Sequence, residues 1–106
     1  WAAKRDGKDG QPVMSSAYRK LAQKYDCELA PVGEAWWRFH MLSPDVEQYA
    51  EDGEHASEIG SKIAAYTIAA VILKRDAKAL SSKEQTENLI CEAVSDAINA
   101  EKERLF

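Results

Sequence analysis

Cysteine is scarce in this chain: two in 106 residues, Cys27 and Cys91, 64 positions apart. Neither has a second Cys or a spaced His beside it, which excludes a disulfide scaffold, a zinc motif of paired ligands and a redox C-x-x-C. Both are expected as buried thiols. Basic charge is also short, with 14 Lys and Arg against 18 Asp and Glu for a net charge of -4. No basic run with interleaved aromatics offsets that balance, so the footprint of a phosphate-backbone binder is lacking and nucleic acid is not an expected partner. Long apolar runs are absent too. The longest, Ile63 to Leu73, has 11 residues, against the roughly 20 that a membrane-spanning helix needs, so no membrane span is expected. The chain opens Trp1-Ala2-Ala3-Lys4-Arg5-Asp6, with neither an initiator Met nor the basic and apolar regions of a signal peptide. It is expected to be cut from something longer, and its localisation stays open.

What the chain does contain is enough for one domain. With 45% hydrophobic residues and mixed charge, a chain of this length can bury roughly 60 to 70% of its unfolded surface in a single core. Asp6 to Pro12, with Gly7, Gly10 and Pro12 among charges, reads as a polar loop. Met14, Tyr18, Leu21, Ala22 and Tyr25 then fall at helical spacing, with Arg19, Lys20, Gln23 and Lys24 opposite, which predicts an amphipathic surface helix. Cys27 to Val32, bounded by Asp26 and Gly33, alternates like a strand, with Pro31 placing it at an edge. Glu34 to Leu42 predicts a short helix carrying Trp36, Trp37 and Phe39, one Trp in the core and the other near a site rim; Ser43-Pro44-Asp45 predicts a brief helical turn. Ser57 caps a helix to about Arg75 that is apolar almost all round and therefore expected to be buried. Ser81-Ser82-Lys83-Glu84 offers a capping box for a last amphipathic helix through Leu89, Ile90, Ala93, Val94, Ala97 and Ile98 toward Leu105.

Between these helices, Tyr49 to Ala56 has no apolar period and is crowded with titratable groups: Glu51, Asp52, Glu54 and His55 around Gly53. A carboxylate three residues before a His, with a Gly between, can hold Nδ1–H and leave Nε2 free as a general base, the acid and base half of a nucleophilic triad. Glu54 is expected to point to solvent. One His among flexible carboxylates is a poor transition-metal set. His40, outside any H-x-x-x-H spacing, reads as a structural side chain.

Asp52-Gly53-Glu54-His55-Ala56-Ser57-Glu58-Ile59-Gly60, leading into a small-residue helix, together with Pro31-Val32-Gly33-Glu34-Ala35-Trp36 upstream, resembles the C-terminal portion of the SGNH (GDSL-type) hydrolases. The resemblance covers roughly residues 1–74. It implies an α/β fold, the C-terminal part of a three-layer α/β/α sandwich around a parallel sheet, with residues 1–75 as core blocks and 76–106 as a helical extension. By the same resemblance Asp52 is the triad Asp and His55 the triad His of an ester hydrolase, acting on small-molecule or carbohydrate esters without a cofactor. Position 56 is Ala where the family more commonly has Pro. The Gly-Asp-Ser nucleophile block and the oxyanion-hole Gly and Asn are not in this sequence, and no G-x-S-x-G occurs, so the chain alone is expected to be inactive and, lacking its sheet, to self-associate. A helical interaction domain without catalysis is the alternative reading.

Overall fold

The computed structural model describes residues 1–80, 82 and 84–104. Helix α1 runs Gly7–Tyr25, α2 Val32–Leu42, α3 Glu58–Leu73 and α4 Gln85–Arg104, with 3₁₀ turns at Lys4–Asp6 and Ala77–Ala79. The expected α/β sandwich is thereby corrected to an all-helical domain: 71% is helix, with no strand among the described residues, and the extended pairing there is an isolated bridge, Tyr49 with Ala56. The physical reason lies in residues 27–31. An extended segment becomes a strand only beside another that takes its backbone groups. Here Cys27 N–H turns back to the Ala22 carbonyl at 2.9 Å, Val32 N–H bonds the Ala30 carbonyl at 2.8 Å, and Pro31 has no N–H to give.

The residues read as a polar loop are the first turns of α1, with Pro12 inside the helix. Tertiary contact explains this departure from local preference. Gln11, 7% exposed, accepts the Ala2 N–H at 2.8 Å and donates to the Ser15 hydroxyl at 3.0 Å. It lies so close to α2 that a Cβ on Gly33 would stand 2.1 Å from its Nε2. Helix α1 ends at Asp26 and α3 at Lys74, each in the left-handed region with its N–H on carbonyls of the last turn.

The core is the seam where α2 crosses α4, closed at one side by α3. Ala35, Trp36 and Phe39 of α2 meet Ile90, Cys91, Ala93, Val94 and Ala97 of α4 and Ile63 of α3. Phe39, Ile63, Ile90 and Val94 are fully buried, and the small Ala93 and Ala97 let the helices approach. Residues 76–106, expected as an extension, therefore supply a large part of this core. Arg19 of α1 ties the helices at the edge, its guanidinium within 3.0 Å of Glu101 of α4 and 2.9 Å from Glu34 of α2. At the start of α4, Asn88 brackets Ser82, accepting its N–H and donating to its carbonyl; Ser81, Lys83 and Leu105, also named in the sequence reading, lie outside the described residues.

Three expectations about burial are overturned. Helix α3 is buried along a single stripe, Gly60, Ile63 and Thr67, and leaves Ile68, Ile72 and Leu73 exposed; the apolar face of α1 likewise turns outward, with Tyr18, Leu21 and Tyr25 more than half exposed. The molecule is a slab 37 × 33 × 18 Å. Its accessible surface, 7128 Å², exceeds the about 5,900 Å² typical of a folded monomer of its mass. Cys27 is exposed, contrary to expectation, while Cys91 is buried. Among the described residues no helix is long and apolar enough to cross a membrane.

Candidate functional site

The Asp52–His55 loop stands on two stems held by one residue, Trp36 of α2, through its indole and its backbone carbonyl. Its indole N–H donates to the Gly60 carbonyl at 3.1 Å in the first turn of α3, and its own carbonyl accepts from the buried Gln48 amide at 2.8 Å. Trp1 stacks on its ring at 4.1 Å, and Tyr49 meets it edge-on at 5.0 Å. A Cβ on Gly60 would come 2.2 Å from the Gln48 carbonyl oxygen, so this glycine permits the close approach of stem and helix. Ala50 N–H to the His55 carbonyl at 2.8 Å and Ser57 N–H to the Gln48 carbonyl at 2.9 Å close the base of the loop. Ser57 caps α3 by accepting the Gly60 N–H at 3.2 Å.

Within the loop the chain folds back on Asp52. Gly53 takes φ +70°, a left-handed turn that a side chain would strain. Asp52 Oδ1 accepts the backbone N–H groups of Glu54 and His55, each at 2.9 Å, and Oδ2 is hydrogen-bonded to His55 Nδ1. The spacing of three residues thus gives the geometry the sequence suggested, with the carboxylate fixed at one oxygen and presented at the other. The Glu54 N–H first, then the His55 ring and N–H, hold the Asp52 carboxyl down to about 2, and hydrogen bonding to Asp52 raises His55 above its ordinary 6.5. With Asp52 ionised, the neutral imidazole carries its proton on Nδ1. Its Nε2 has no hydrogen-bond partner among the described residues, and the side chain is 82% exposed. Such an imidazole can take a proton from a hydroxyl brought to Nε2 and return it to a leaving group. Ser57, the nearest hydroxyl in sequence, donates to the Glu47 carbonyl at 2.9 Å and serves the helix cap instead.

The N-terminal segment, to which the sequence reading gave no role, lies against this loop. Lys4 N–H donates to the Gly53 carbonyl at 2.8 Å, Trp1 Nε1–H to the Glu54 carbonyl at 2.8 Å, and Arg5 is paired with the Glu54 carboxylate. Glu54 is therefore engaged, contrary to the expectation that it points to solvent. No local pattern could reveal these contacts, which span about fifty residues. Of the other sequence candidates, Trp36 is buried and Trp37 half-buried, with His40, exposed, 5.6 Å from the Trp37 ring. Both line a cleft of about 340 Å³ between the N-terminal segment, the start of α1, α2 and residues 44–49, with Lys4 and Glu47 at its edge. A second groove, about 240 Å³, runs between α1 and α3 past Leu29 and Val32. Among the described residues no group of three or more His, Cys, Asp or Glu is placed to hold a metal ion. Compared with protein-family models, curated proteins and solved structures, the chain matches none.

Proposed function

We propose that this chain supplies the acid–base half of a serine ester hydrolase, in which a Ser nucleophile and an oxyanion hole from outside these 106 residues complete the site. In the acylation step His55 Nε2 takes the Ser proton as the hydroxyl oxygen attacks the acyl carbon. The resulting imidazolium, steadied by Asp52, then protonates the departing alkoxide. The substrate class is a small-molecule or carbohydrate ester, and the reaction calls for no cofactor. The observation that supports this reading best is the Asp52 carboxylate, anchored at Oδ1 by two backbone N–H groups and bonded at Oδ2 to His55 Nδ1. This is the orientation a general base needs and a merely solvated acidic loop does not.

The test is activity by complementation. The chain alone should hydrolyse an activated acetyl ester no faster than free imidazole, since positioned base catalysis contributes about 10²- to 10⁴-fold and needs a nucleophile to act on. A longer gene product that includes a Gly-Asp-Ser block upstream of Trp1 should be active and should lose that activity on His55→Ala. Full activity in the His55→Ala variant would refute the reading.

The second reading, a helical interaction domain without catalysis, is favoured by one observation, the exposed Tyr18, Leu21, Tyr25, Ile68 and Ile72 on α1 and α3. Apolar faces of this kind on small proteins mark association sites.

A further inference from the structure

Two carboxylates, Asp52 and Glu54, flank Gly53 in the loop that carries His55, and only one can serve as its partner. The Lys4–Asp6 turn touches this loop from outside. Lys4 N–H holds the Gly53 carbonyl at 2.8 Å, Arg5 holds the Glu54 carboxylate, and Lys4 Nζ reaches Glu47 Oε2 at 2.8 Å on the preceding stem. Glu47 in turn accepts the Tyr49 N–H through its other oxygen at 3.1 Å. We propose that the Lys4–Asp6 turn is the positioning element of the acid–base pair: Arg5 sequesters Glu54, and the Lys4 backbone pins Gly53, so that Asp52 alone faces the imidazole. The proposal rests on the reading of Asp52 and His55 as that pair.

The physical argument is one of competition between neighbouring anions. An unpaired Glu54, adjacent to His55 in sequence, would attract the imidazolium and offer its ring a second acceptor, splitting the orientation that fixes Nε2 outward. Two nearby like charges also favour the protonated ring, which is the wrong form for a base. Arg5 cancels the second charge and draws its side chain toward the N-terminal segment. The charged groups that act on His55 are then Asp52, hydrogen-bonded to its ring, and Glu54, with Arg5 in turn on Glu54. Asp6 stands 4.0 Å from Arg5 and contributes a weak second contact to it. Both ends of the Arg5–Glu54 pair are half exposed or more, so its effect is local and modest, as exposed pairs are.

The experiment is a nuclear magnetic resonance titration of His55 in the intact chain, reading the ring protons for its pKa and the ring nitrogens for its tautomer. Arg5→Ala should raise the His55 pKa by about 0.3 unit, the scale of one exposed charge contact. Glu54→Gln should lower it by a similar amount, because the Glu54 charge that helps hold the ring protonated is withdrawn. Arg5→Lys should restore the original value, and Arg5→Ala should have no effect in the Glu54→Gln background. Simple loosening of the loop would not give these opposite signs or the cancellation. Equal titration in Arg5→Ala and the unaltered chain, with the Nδ1–H tautomer kept in both, would overturn the positioning role while leaving the acid–base pair intact. Absence of an Nδ1–H preference in the unaltered chain would overturn the acid–base reading and, with it, the positioning role.

Discussion

The α2–α4 seam and the Asp52–His55 loop are built by opposite means. The seam is held by apolar burial, with Phe39, Ile90 and Val94 fully out of water. The loop buries almost nothing: Asp52 and His55 have side chains 46% and 82% exposed, and hydrogen bonds within it and to the N-terminal segment define its shape. Burial at about 25 cal/mol per Å² is what stabilises a fold, while exposed polar geometry contributes little to stability and much to chemistry. Stability and the proposed chemistry are therefore separable on this chain, with Trp36 as the point where they meet.

Substitutions can test that separation. The largest effect is expected at the seam, where Phe39→Ala should cost about 3–5 kcal/mol, the range for emptying a fully buried aromatic site, measured by chemical denaturation. If the variant still folds, its His55 titration should match that of the unaltered chain. Trp36→Phe should rank next. It keeps an aromatic ring but removes the N–H that gives the Gly60 carbonyl a second donor beside that of its own helix, and the loss of one such hydrogen bond costs about 0.5–1.5 kcal/mol. Because Trp36 braces both stems, this variant should also speed amide exchange at residues 50–57; a destabilised fold with unchanged loop exchange would break the link. The smallest effect is expected on the open face, where Ile72, 70% exposed, can become Lys with a stability change within about 0.5 kcal/mol. Sedimentation should show Ile72→Lys reducing self-association, and association unaltered by it would move the sticky surface elsewhere.

Much of both regions was legible in the sequence, for reasons of range. The spacing of Leu89, Ile90, Ala93, Val94, Ala97 and Ile98 marks α4 because a helical stripe repeats locally, and Asp52-x-x-His55 marks the pair because its hydrogen bond spans three residues. The failures are contacts at a distance. Gly7, Gly10 and Pro12 read as a loop because the burial of Gln11 beside Gly33 is set by α2, not by neighbours. Cys27 to Val32 reads as a strand because its alternation is real, yet a strand also requires a neighbour that no local pattern supplies. The apolar residues of α1 and α3 suggested burial, since hydropathy records what a face prefers and not what lies against it. The grip of Lys4 and Arg5 on the loop, across about fifty residues, leaves no local trace at all.

The central claim is that Asp52 fixes and charges His55, and the ionisation of His55 in the chain and in Asp52→Asn tests it most directly. The sign follows from the carboxylate. Asp52, held down to about 2, stays ionised above that pH and stabilises the imidazolium, so His55 should titrate above 6.5. The pair's contribution to folding is then present below 6.5 and lost as pH rises through that higher value, and at the acid end it is lost as pH falls from 3.8 through about 2. Asp52→Asn withdraws the charge, so His55 should fall to its ordinary value or below and lose its Nδ1–H preference, while circular dichroism stays helical. A His55 that titrates at 6.5 in both proteins, with no tautomer preference in either, would contradict the account.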